Sequence, residues 1–272
     1  VNHLSELGIP TDVEDVVTSA HAAAAMVAEI TPAGSTVLVV GGEGLTQAVR
    51  DHGLRPVTSC DDNPVAVVQG LGPAVGWELL AEGTYAVRSG LPWVASNLDV
   101  TVPTSRGLAP GNGALVSVIA LATGRHPVSA GKPEIALHRE ATRRVGAESP
   151  LVVGDRLDSD IQGANRAQMP SLLVLTGVTT AADLVLAVPI QRPTYVAADL
   201  LSGLESPHPG VLRASASRWS CGSWVCDVRA GEVVLAGEGP ALDAVRALSV
   251  ACWDEPAAVE PREVHRVLER LG

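Results

Sequence analysis

The stretch Leu151-Val-Val-Gly-Asp-Arg-Leu-Asp-Ser-Asp-Ile161 gives the clearest indication of how this chain folds. A short apolar run ends at Gly154, Asp155 follows it, and a second acid, Asp160, stands where a new helix is expected to open. In an open α/β sheet, ligands bind just beyond the carboxyl ends of the strands. Two carboxylates at that place suit a hard cation such as Mg²⁺, which prefers oxygen ligands. The alternative is a strand followed by an acidic, capped helix start that binds nothing.

Upstream of this stretch, Gly131-Lys-Pro133 precedes a helical pattern. Pro133 is predicted to lie in the first helical turn, where its missing N–H would be unpaired anyway. The apolar residues of the pattern recur on one helical face: Leu137, Ala141 and Val145. Lys132 is therefore expected in a loop just before the helix that leads into the 151–154 strand. A lysine there can neutralise the oxygens of a bound phosphate; the alternative is an ordinary solvated lysine.

The rest of the chain up to residue 200 alternates predicted helices with short buried strands, of which 171–177 is the next after 151–154. This alternation is typical of parallel sheets, so the predicted fold class is α/β. Gly41-Gly-Glu-Gly44 follows an early strand but lacks the third glycine of a dinucleotide-binding turn. A glycine turn between strand and helix is therefore preferred over NAD binding at that place.

Taken together, these motifs resemble the haloacid dehalogenase (HAD) superfamily, and most closely its NagD-like, nitrophenylphosphatase-type branch. The resemblance covers about residues 1–200. The matching segments, in chain order, are Asp15-Val-Val-Thr-Ser-Ala20, Ala95-Ser-Asn-Leu-Asp99, Pro110-Gly-Asn-Gly113, Gly131-Lys-Pro133, Val153-Gly-Asp-Arg-Leu-Asp-Ser-Asp-Ile161 and Leu173-Val-Leu-Thr-Gly-Val178. The resemblance implies a Mg²⁺-dependent hydrolase of small phosphorylated metabolites, with glycerol 3-phosphate and similar phosphomonoesters as the nearest substrates.

The resemblance also implies roles for particular residues. Asp155 is expected to bind Mg²⁺, with Asp160 beside it or joined to the ion through a water molecule. Lys132 is expected to act in catalysis next to the phosphate. Arg156 is expected to position the cap or the substrate, although a surface ion pair is an equal alternative.

Two further polar residues, Asn97 and Asp99, lie just past a predicted strand end beside a long Gly- and Pro-containing loop, 103–113. Such positions are candidates for contacts to substrate from the cap. The alternative is a local turn in which an Asn or Asp side chain hydrogen-bonds to nearby backbone.

The family's nucleophile motif is the main departure. Members carry Asp-x-Asp-Gly-Thr on their first strand and a Thr-Asn-Asn type motif on the second, and neither occurs in residues 1–272. Two explanations stay open: a preceding segment carries both motifs, or the protein lacks its nucleophile. In either case residues 1–272 alone are expected not to hydrolyse phosphate esters, because covalent phosphoryl transfer needs an activated nucleophile. The alternative function is a non-catalytic binding or interaction module derived from such a phosphatase.

The expected fold is a HAD-like, doubly wound parallel sheet without its N-terminal part, joined to an α/β cap and a small α+β extension. The predicted divisions are residues 1–10 for the end of the first core segment, 11–123 for the α/β cap, 124–200 for the C-terminal half of the core, 201–218 for a linker and 219–272 for the extension.

Composition restricts the partners. The net charge of −11 disfavours a broad nucleic-acid or anionic-membrane surface, and no apolar run reaches the roughly 18 residues of a membrane span. The four cysteines are too few and too scattered for a disulfide framework, so free thiols in the cytoplasm are expected. The small C-terminal segment needs a packing partner, either the rest of this chain or a second copy, so a homodimer is a candidate assembly.

Overall fold

The computed structural model describes residues 2–229, 231–255 and 259–271, and the chain divides into two compact units, Val1–Glu148 and Ser149–Gly272. We call these unit 1 and unit 2. Within the described ranges, no helix is both long and apolar enough to cross a membrane.

Unit 1 is built on a parallel sheet, as the alternating pattern predicts. The strands of unit 1 are β1 (Thr36–Val40), β2 (Arg55–Val57), β3 (Ala66–Gln69), β4 (Trp93–Ala95), β5 (Thr101–Thr104), β6 (Gly107–Pro110) and β7 (Val128–Ser129). Five of them form the sheet, in the order β2-β1-β3-β4-β7, and every neighbouring pair is parallel. The other two, β5 and β6, form a separate antiparallel hairpin.

Helices cover both faces of this sheet. The helices of unit 1 are α1 (Asn2–Glu6), α2 (Ser19–Ile30), α3 (Glu43–Asp51), α4 (Trp77–Arg88), α5 (Asn112–Thr123) and α6 (Ala136–Val145). Alternate residues of β1 show the two faces: Val37 and Val39 pack with α2 and α3, whereas Leu38 and Val40 pack with α4 and α5. All four side chains are buried, which explains why the strand is a continuous apolar run.

Unit 2 contains a parallel sheet and an antiparallel sheet. The strands of unit 2 are β8 (Val152–Gly154), β9 (Ser171–Val174), β10 (Tyr195–Ala197), β11 (Leu212–Ser215), β12 (Arg218–Cys221), β13 (Trp224–Arg229) and β14 (Glu232–Ala236). The first three form a parallel sheet in the order β10-β9-β8, and the last four form an antiparallel meander in chain order. The helices of unit 2 are α7 (Gln162–Arg166), α8 (Ala181–Val185), α9 (Leu200–Glu205), α10 (Ala241–Asp254) and α11 (Pro261–Leu268).

Two local expectations differ from the structure. Helix α6 begins at Ala136, so Pro133 lies in the preceding turn, where the amide of Glu134 donates to the carbonyl of Gly131 at 3.0 Å. The segment 201–218, expected as a linker, contains most of α9 and all of β11. Strand β11 pairs with β12, which satisfies backbone polar groups on one side of β11, even though its four residues are exposed and carry no buried pattern.

The unit boundary also lies at a different place from the predicted change between cap and core. The compact units divide between Glu148 and Ser149, and β7, at the start of the predicted core segment 124–200, pairs with β4 in the sheet of unit 1. The roles of cap and core remain predictions for the two parts of the chain.

Candidate functional site

Asp155 directly follows the carboxyl end of β8, as the sequence predicts. Strand β8 pairs in parallel with β9. The loop after β9 donates two backbone hydrogen bonds to Asp155. The amide of Val178 donates to Oδ2 of Asp155 at 3.0 Å, and the amide of Thr179 donates to its backbone carbonyl at 3.1 Å. The hydrogen bond from the Val178 amide thus sets the direction of the Asp155 carboxylate.

Two glycines leave the space that the carboxylates occupy. A Cβ at Gly177 would collide with the carboxyl group of Asp155, and a Cβ at Gly154 would collide with the side chain of Asp160. Any side chain at either position would therefore displace a carboxylate, because a real Cβ does not approach other atoms that closely.

Asp160 is buried, with 6% of its surface exposed, inside a π-helical turn that spans Leu157–Ile161. The amide of Arg156 donates to Oδ2 of Asp160 at 3.1 Å. This hydrogen bond closes the turn that follows Asp155 in the chain. This hydrogen bond gives Asp160 a structural role, and its role in metal binding stays a prediction.

The Arg156 side chain forms the surface ion pair that the sequence allowed as an alternative. Its guanidinium donates two hydrogen bonds to Asp158, at 3.1 and 2.9 Å, and both side chains are about half exposed. The hydrogen bonds from Arg156 lower the pKa of Asp158 below its ordinary value and raise the pKa of Arg156. In this arrangement Arg156 is already occupied, and its predicted role toward cap or substrate stays a prediction.

In unit 1, Asn97 and Asp99 lie beyond the end of β4. The amide of Asp99 donates to Oδ1 of Asn97 at 3.3 Å, which is the local turn that the sequence offered as the alternative. Asn97 is half-buried and its carbonyl accepts a hydrogen bond from Nδ2 of Asn112 at 2.7 Å, whereas Asp99 is exposed. Their substrate role remains a prediction.

Close backbone packing accounts for the two glycines of the Pro110-Gly-Asn-Gly113 motif. A Cβ at Gly111 would collide with the carbonyl of Asp99, and a Cβ at Gly113 with the carbonyl of Leu98. The amide of Gly113 donates to that Asp99 carbonyl at 2.8 Å. The motif thus ties the start of α5 to the loop after β4.

Lys132 lies in the turn after β7, and its side chain is exposed. The preceding residue, Gly131, packs so closely on Asn97 that an added Cβ would lie only 2.9 Å from the Asn97 side chain. Strands β7 and β4 are adjacent and parallel, so the turn carrying Lys132 and the loop carrying Asn97 and Asp99 lie together at one edge of the unit 1 sheet. The structure therefore brings together three of the predicted residues in unit 1 and the other three, Asp155, Arg156 and Asp160, in unit 2.

The donor chemistry at the end of β8 suits a hard cation, because carboxylate oxygens are the ligands that Mg²⁺ takes in proteins. Across the described part of the chain, no group of three or more His, Cys, Asp or Glu residues is placed to hold a metal ion. The assignment of Asp155 and Asp160 as metal ligands stays a prediction.

The sequence did not identify Gly177 or the Val178 and Thr179 amides as parts of this site. Gly177 does stand directly after the apolar run of β9, and a glycine at a strand end indicates close approach of other atoms. That signal was available, but the partner of the close approach follows only from the pairing of β9 with β8.

Comparison with known families gives three matches. The HAD-hydrolase-like family model matches residues 129–202, and the haloacid dehalogenase-like hydrolase model matches residues 1–55. A model described as a GCN5-related N-acetyltransferase like domain matches residues 221–272.

Two curated relatives are phosphatases. D-glycerol 3-phosphate phosphatase of Mycobacterium tuberculosis is 46% identical over 272 residues, covering 94% of this chain and 73% of the relative. Acid sugar phosphatase of Staphylococcus saprophyticus is 39% identical over 200 residues, covering 72% of this chain and 75% of the relative.

Solved structures agree with these matches. A glycerol phosphate phosphatase from M. tuberculosis in complex with magnesium is similar with a TM-score of 0.84 at 46% identity, covering 93% of this chain and 76% of that one. A p-nitrophenyl phosphatase from Archaeoglobus fulgidus is similar with a TM-score of 0.64 at 29% identity, covering 75% of this chain and 78% of that one.

Proposed function

Because the chain belongs to the family of haloacid dehalogenase-like hydrolases, we propose that it supplies the metal-binding and phosphate-binding part of a Mg²⁺-dependent phosphatase. The single observation that carries this proposal is the Asp155 carboxylate, which stands at the carboxyl end of β8 and is oriented by the Val178 amide. Ligands of α/β sheets bind at such strand ends. The NagD-like phosphatase relatives support the reaction class.

In this proposal, Asp155 holds the Mg²⁺ ion and Asp160 contacts it directly or through water. The fixed Oδ2 of Asp155 and the space left by Gly177 fit a carboxylate that must not move when an ion binds. When bound, the ion would neutralise charge on the phosphate oxygens. The residues of the chain orient that carboxylate and keep the turn after it closed.

Strand β8 is the outer strand of its sheet, which leaves a position beside it for the strand that carries the family's nucleophile. Among the described residues, β8 pairs with β9 on one side only. A parallel strand added at the other side of β8 would end beside Asp155, because the carboxyl ends of parallel strands meet at one edge. An Asp at the end of such a strand is where the family's Asp-x-Asp nucleophile would stand.

Lys132 is proposed to neutralise the phosphate, and Asn97 with Asp99 to contact the rest of the substrate. These three residues share one edge of the unit 1 sheet, at strand ends and in loops, where substrate contacts are commonly placed. A positioned cation that stabilises developing charge typically contributes a few kcal/mol to catalysis.

We propose a small phosphomonoester of the glycerol 3-phosphate type as substrate. The support is the named activity of the M. tuberculosis relative, which is similar along 94% of this chain. The alternative is a non-catalytic binding module, favoured by one observation: no Asp-x-Asp-Gly occurs in residues 1–272. An unpaired edge at β8 is unfavourable in a lone module, because exposed strand edges promote association.

Metal binding tests the site without requiring turnover. Mn²⁺, which takes the same oxygen ligands as Mg²⁺, is titrated into residues 1–272 and the broadening of backbone amide signals is followed by NMR. We expect broadening centred on Gly154, Asp155 and Val178, and its loss in Asp155→Asn. Asp158→Asn is the matched control, since that exposed carboxylate stands in the same turn and pairs with Arg156. Equal broadening in Asp155→Asn would remove Asp155 from the metal site.

Turnover tests the assignment of the nucleophile. Residues 1–272 alone, assayed with Mg²⁺ and a nitrophenyl phosphate or glycerol 3-phosphate, should show no hydrolysis, because loss of a nucleophile typically lowers the rate by several orders of magnitude. The same chain fused behind a family Asp-x-Asp-Gly-Thr segment should turn over substrate and lose this activity in Asp155→Ala. Robust turnover by residues 1–272 would instead show that another residue is the nucleophile, while an inactive fusion that still binds Mn²⁺ would favour the binding module.

A further inference from the structure

Helix α5 differs from the other long helices of the described chain, because it carries no charged residue. Its twelve residues read Asn112-Gly-Ala-Leu-Val-Ser-Val-Ile-Ala-Leu-Ala-Thr123. The other helices of ten residues or more within the described ranges are α2, α4, α6 and α10, and each contains at least one acidic or basic side chain. A helix that is apolar all round is typical of a position that is covered on every side.

Unit 1 buries one side of α5 and leaves the other side open to solvent. On the inner side, Val116 and Ile119 pack with α4 and the sheet. On the outer side, Leu121 is 88% exposed and Val118 is 48% exposed. The outer side is completed by small residues: Ala114, Ser117 and Ala122. A contiguous apolar surface of this kind marks a place where another protein surface packs.

Opposite charges lie at the two ends of this outer face. At the amino end, the amide of Gly113 donates to the carbonyl of Asp99 at 2.8 Å, so the exposed Asp99 lies beside the first turn of α5. At the carboxyl end, the exposed Arg125 follows the helix, and the guanidinium of Arg88 donates to the carbonyl of Ala122 at 3.4 Å. The face is therefore acidic at one end, apolar along its length and basic at the other end.

Such a face is complementary to a second copy of itself turned by 180°. The twelve residues of α5 make a helix about 18 Å long, and in an antiparallel pair the amino end of each helix lies against the carboxyl end of the other. Asp99 then meets the partner subunit's Arg125, and the two-fold axis repeats this contact at the opposite end. The helix dipoles also oppose each other in this arrangement. A parallel pair would instead place like charges together at both ends.

We propose that two copies of this chain associate through the outer face of α5, antiparallel about a two-fold axis near Val118. The small residues of this face let the two helix axes approach to about 8–10 Å, and Leu121 packs against them across the axis. A pair of twelve-residue helices is smaller than a standard interface of about 800 Å² per partner. We therefore expect a reversible dimer with a Kd of roughly 1–100 µM. This association is independent of the proposed phosphatase activity.

Sedimentation velocity of residues 1–272, over concentrations that bracket this Kd, measures the association. We expect the mass to rise from monomer to dimer with concentration. Leu121→Arg should raise the Kd by about thirtyfold or more, because it places a charge in the centre of the apolar face. Leu204→Arg is the matched control, since Leu204 is a 59% exposed leucine on α9 of unit 2 and should leave the association unchanged.

Charge reversal tests the antiparallel arrangement. Asp99→Arg and Arg125→Glu should each be mostly monomeric alone, because each change puts like charges at both ends of the helix pair. An equimolar mixture of the two variants should dimerise again, because every end contact then joins opposite charges. A parallel arrangement, or a dimer built through another surface, predicts no recovery on mixing.

A cysteine near the proposed axis gives an independent measurement. Arg125 also donates to the carbonyl of Leu91 at 3.2 Å, so its replacement can affect folding of unit 1. Val118→Cys does not touch that contact, and with oxidised glutathione it should form a disulfide with its own copy in the partner. Leu204→Cys should not, and wild type, whose four cysteines are buried or half-buried, gives the background.

Three results overturn the proposal. The first is a wild-type chain that stays monomeric over the whole concentration range, and the second is a Leu121→Arg variant that dimerises like wild type. The third is a failure of the two folded charge variants to recover dimerisation on mixing. Where Arg125→Glu does not fold, the absence of a disulfide-linked dimer in Val118→Cys overturns the proposal in its place.

Discussion

At the scale of single residues, the carboxylate of Asp155 occupies space that position 177 leaves open only as glycine. Gly177→Ala should push this carboxylate off its hydrogen bond with the Val178 amide. We expect Mn²⁺ binding to weaken about tenfold, equivalent to ~1.4 kcal/mol, without any change of charge. The measurement is the amide broadening described above, titrated against metal concentration.

The control for this prediction is Gly44→Ala, since Gly44 lies in α3 with open space where the Cβ would go. That variant should bind Mn²⁺ like wild type and gain slightly in helix stability. Metal affinity unchanged by Gly177→Ala would mean that the carboxylate position does not govern binding.

The sequence identified Asp155 and Asp160 at a strand end because an apolar run followed by Gly-Asp is a local pattern. It could not identify what each side chain contacts. Whether Arg156 points to a ligand or to Asp158, and whether Asn97 binds substrate or its own loop, depends on side-chain rotamers and neighbouring loops. Tertiary packing sets these rotamers and loop positions, and they produce no periodic pattern in the sequence.

At the scale of helices, α6 carries a buried acid whose partner stands on the surface. Glu140 is 2% exposed and accepts two hydrogen bonds from Arg143 at 2.9 Å, while Arg144 and His52 lie 3.6 Å away. Burial alone would raise the pKa of Glu140, but the Arg143 hydrogen bonds and nearby positive charges outweigh it and lower the pKa. The ionised form is therefore the one that the fold stabilises.

Arg143→Ala should lower the free energy of unfolding by about 1–3 kcal/mol, because a buried carboxylate loses its main donors. A carboxyl whose pKa is lowered by folding stabilises the fold above its ordinary pKa of 4.5, and that contribution fades as pH falls. The difference from wild type should thus be largest at neutral pH and shrink below about pH 4.5. Urea unfolding at several pH values measures it, with the exposed Arg139→Ala on the same helix as control. A difference independent of pH would contradict this account.

At the scale of strands, Asp227 on β13 pairs with Arg218 across the ladder and with Arg229 on its own strand. Hydrogen bonds from Arg229 and then Arg218 lower the pKa of Asp227 to about 2. Asp227→Asn should therefore destabilise the meander at neutral pH. The difference should fade as pH falls from 3.8 towards about 2, where wild-type Asp227 is also neutral.

Chemical unfolding between about pH 7 and pH 2 tests this prediction, with the exposed Glu238→Gln of the same unit as control. A gap that widens with acid would show that the carboxylate does not act through its arginine partners. The hairpin of β13 and β14 was predictable from its alternating pattern and the glycine between the strands. The pairing of Arg218 with Asp227 was not, because it depends on the register of a third strand.

At the scale of the whole molecule, the predicted α/β class with parallel sheets is confirmed. The position at which the chain divides into two units could not be predicted from the sequence. Strand β7 has only two residues, one of them exposed, which is too short for an apolar pattern. Strand β7 belongs to the unit 1 sheet because it pairs with β4, and this pairing is a tertiary contact. For this reason the sequence placed the change near residue 123 whereas the compact units divide after Glu148.

Each unit has hydrophobic clusters of its own: those around α2 and α4 belong to unit 1, and those around α8 and α10 belong to unit 2. Leu38→Ala, at a fully buried position of β1, should destabilise unit 1 by about 2–5 kcal/mol. Hydrogen exchange followed by mass spectrometry should show faster exchange in β1, β3 and β4. Unit 2 amides should exchange as in wild type, and Leu121→Ala, at a largely exposed position of α5, is the control. Faster exchange throughout both units would mean that they unfold together.

The contiguity of unit 1 in the chain also has a consequence for protein synthesis. Every residue of unit 1 precedes every residue of unit 2, so a ribosome delivers the whole of the first sheet before it begins β8. At translation rates of about 5–20 residues per second, unit 1 has on the order of ten seconds outside the exit tunnel before the second unit is complete. Folding of small domains is usually faster than that. The nascent chain is thus expected to fold in order from the amino-terminal side. The turn that carries Lys132 should form before β8, the strand that leads to Asp155, has formed.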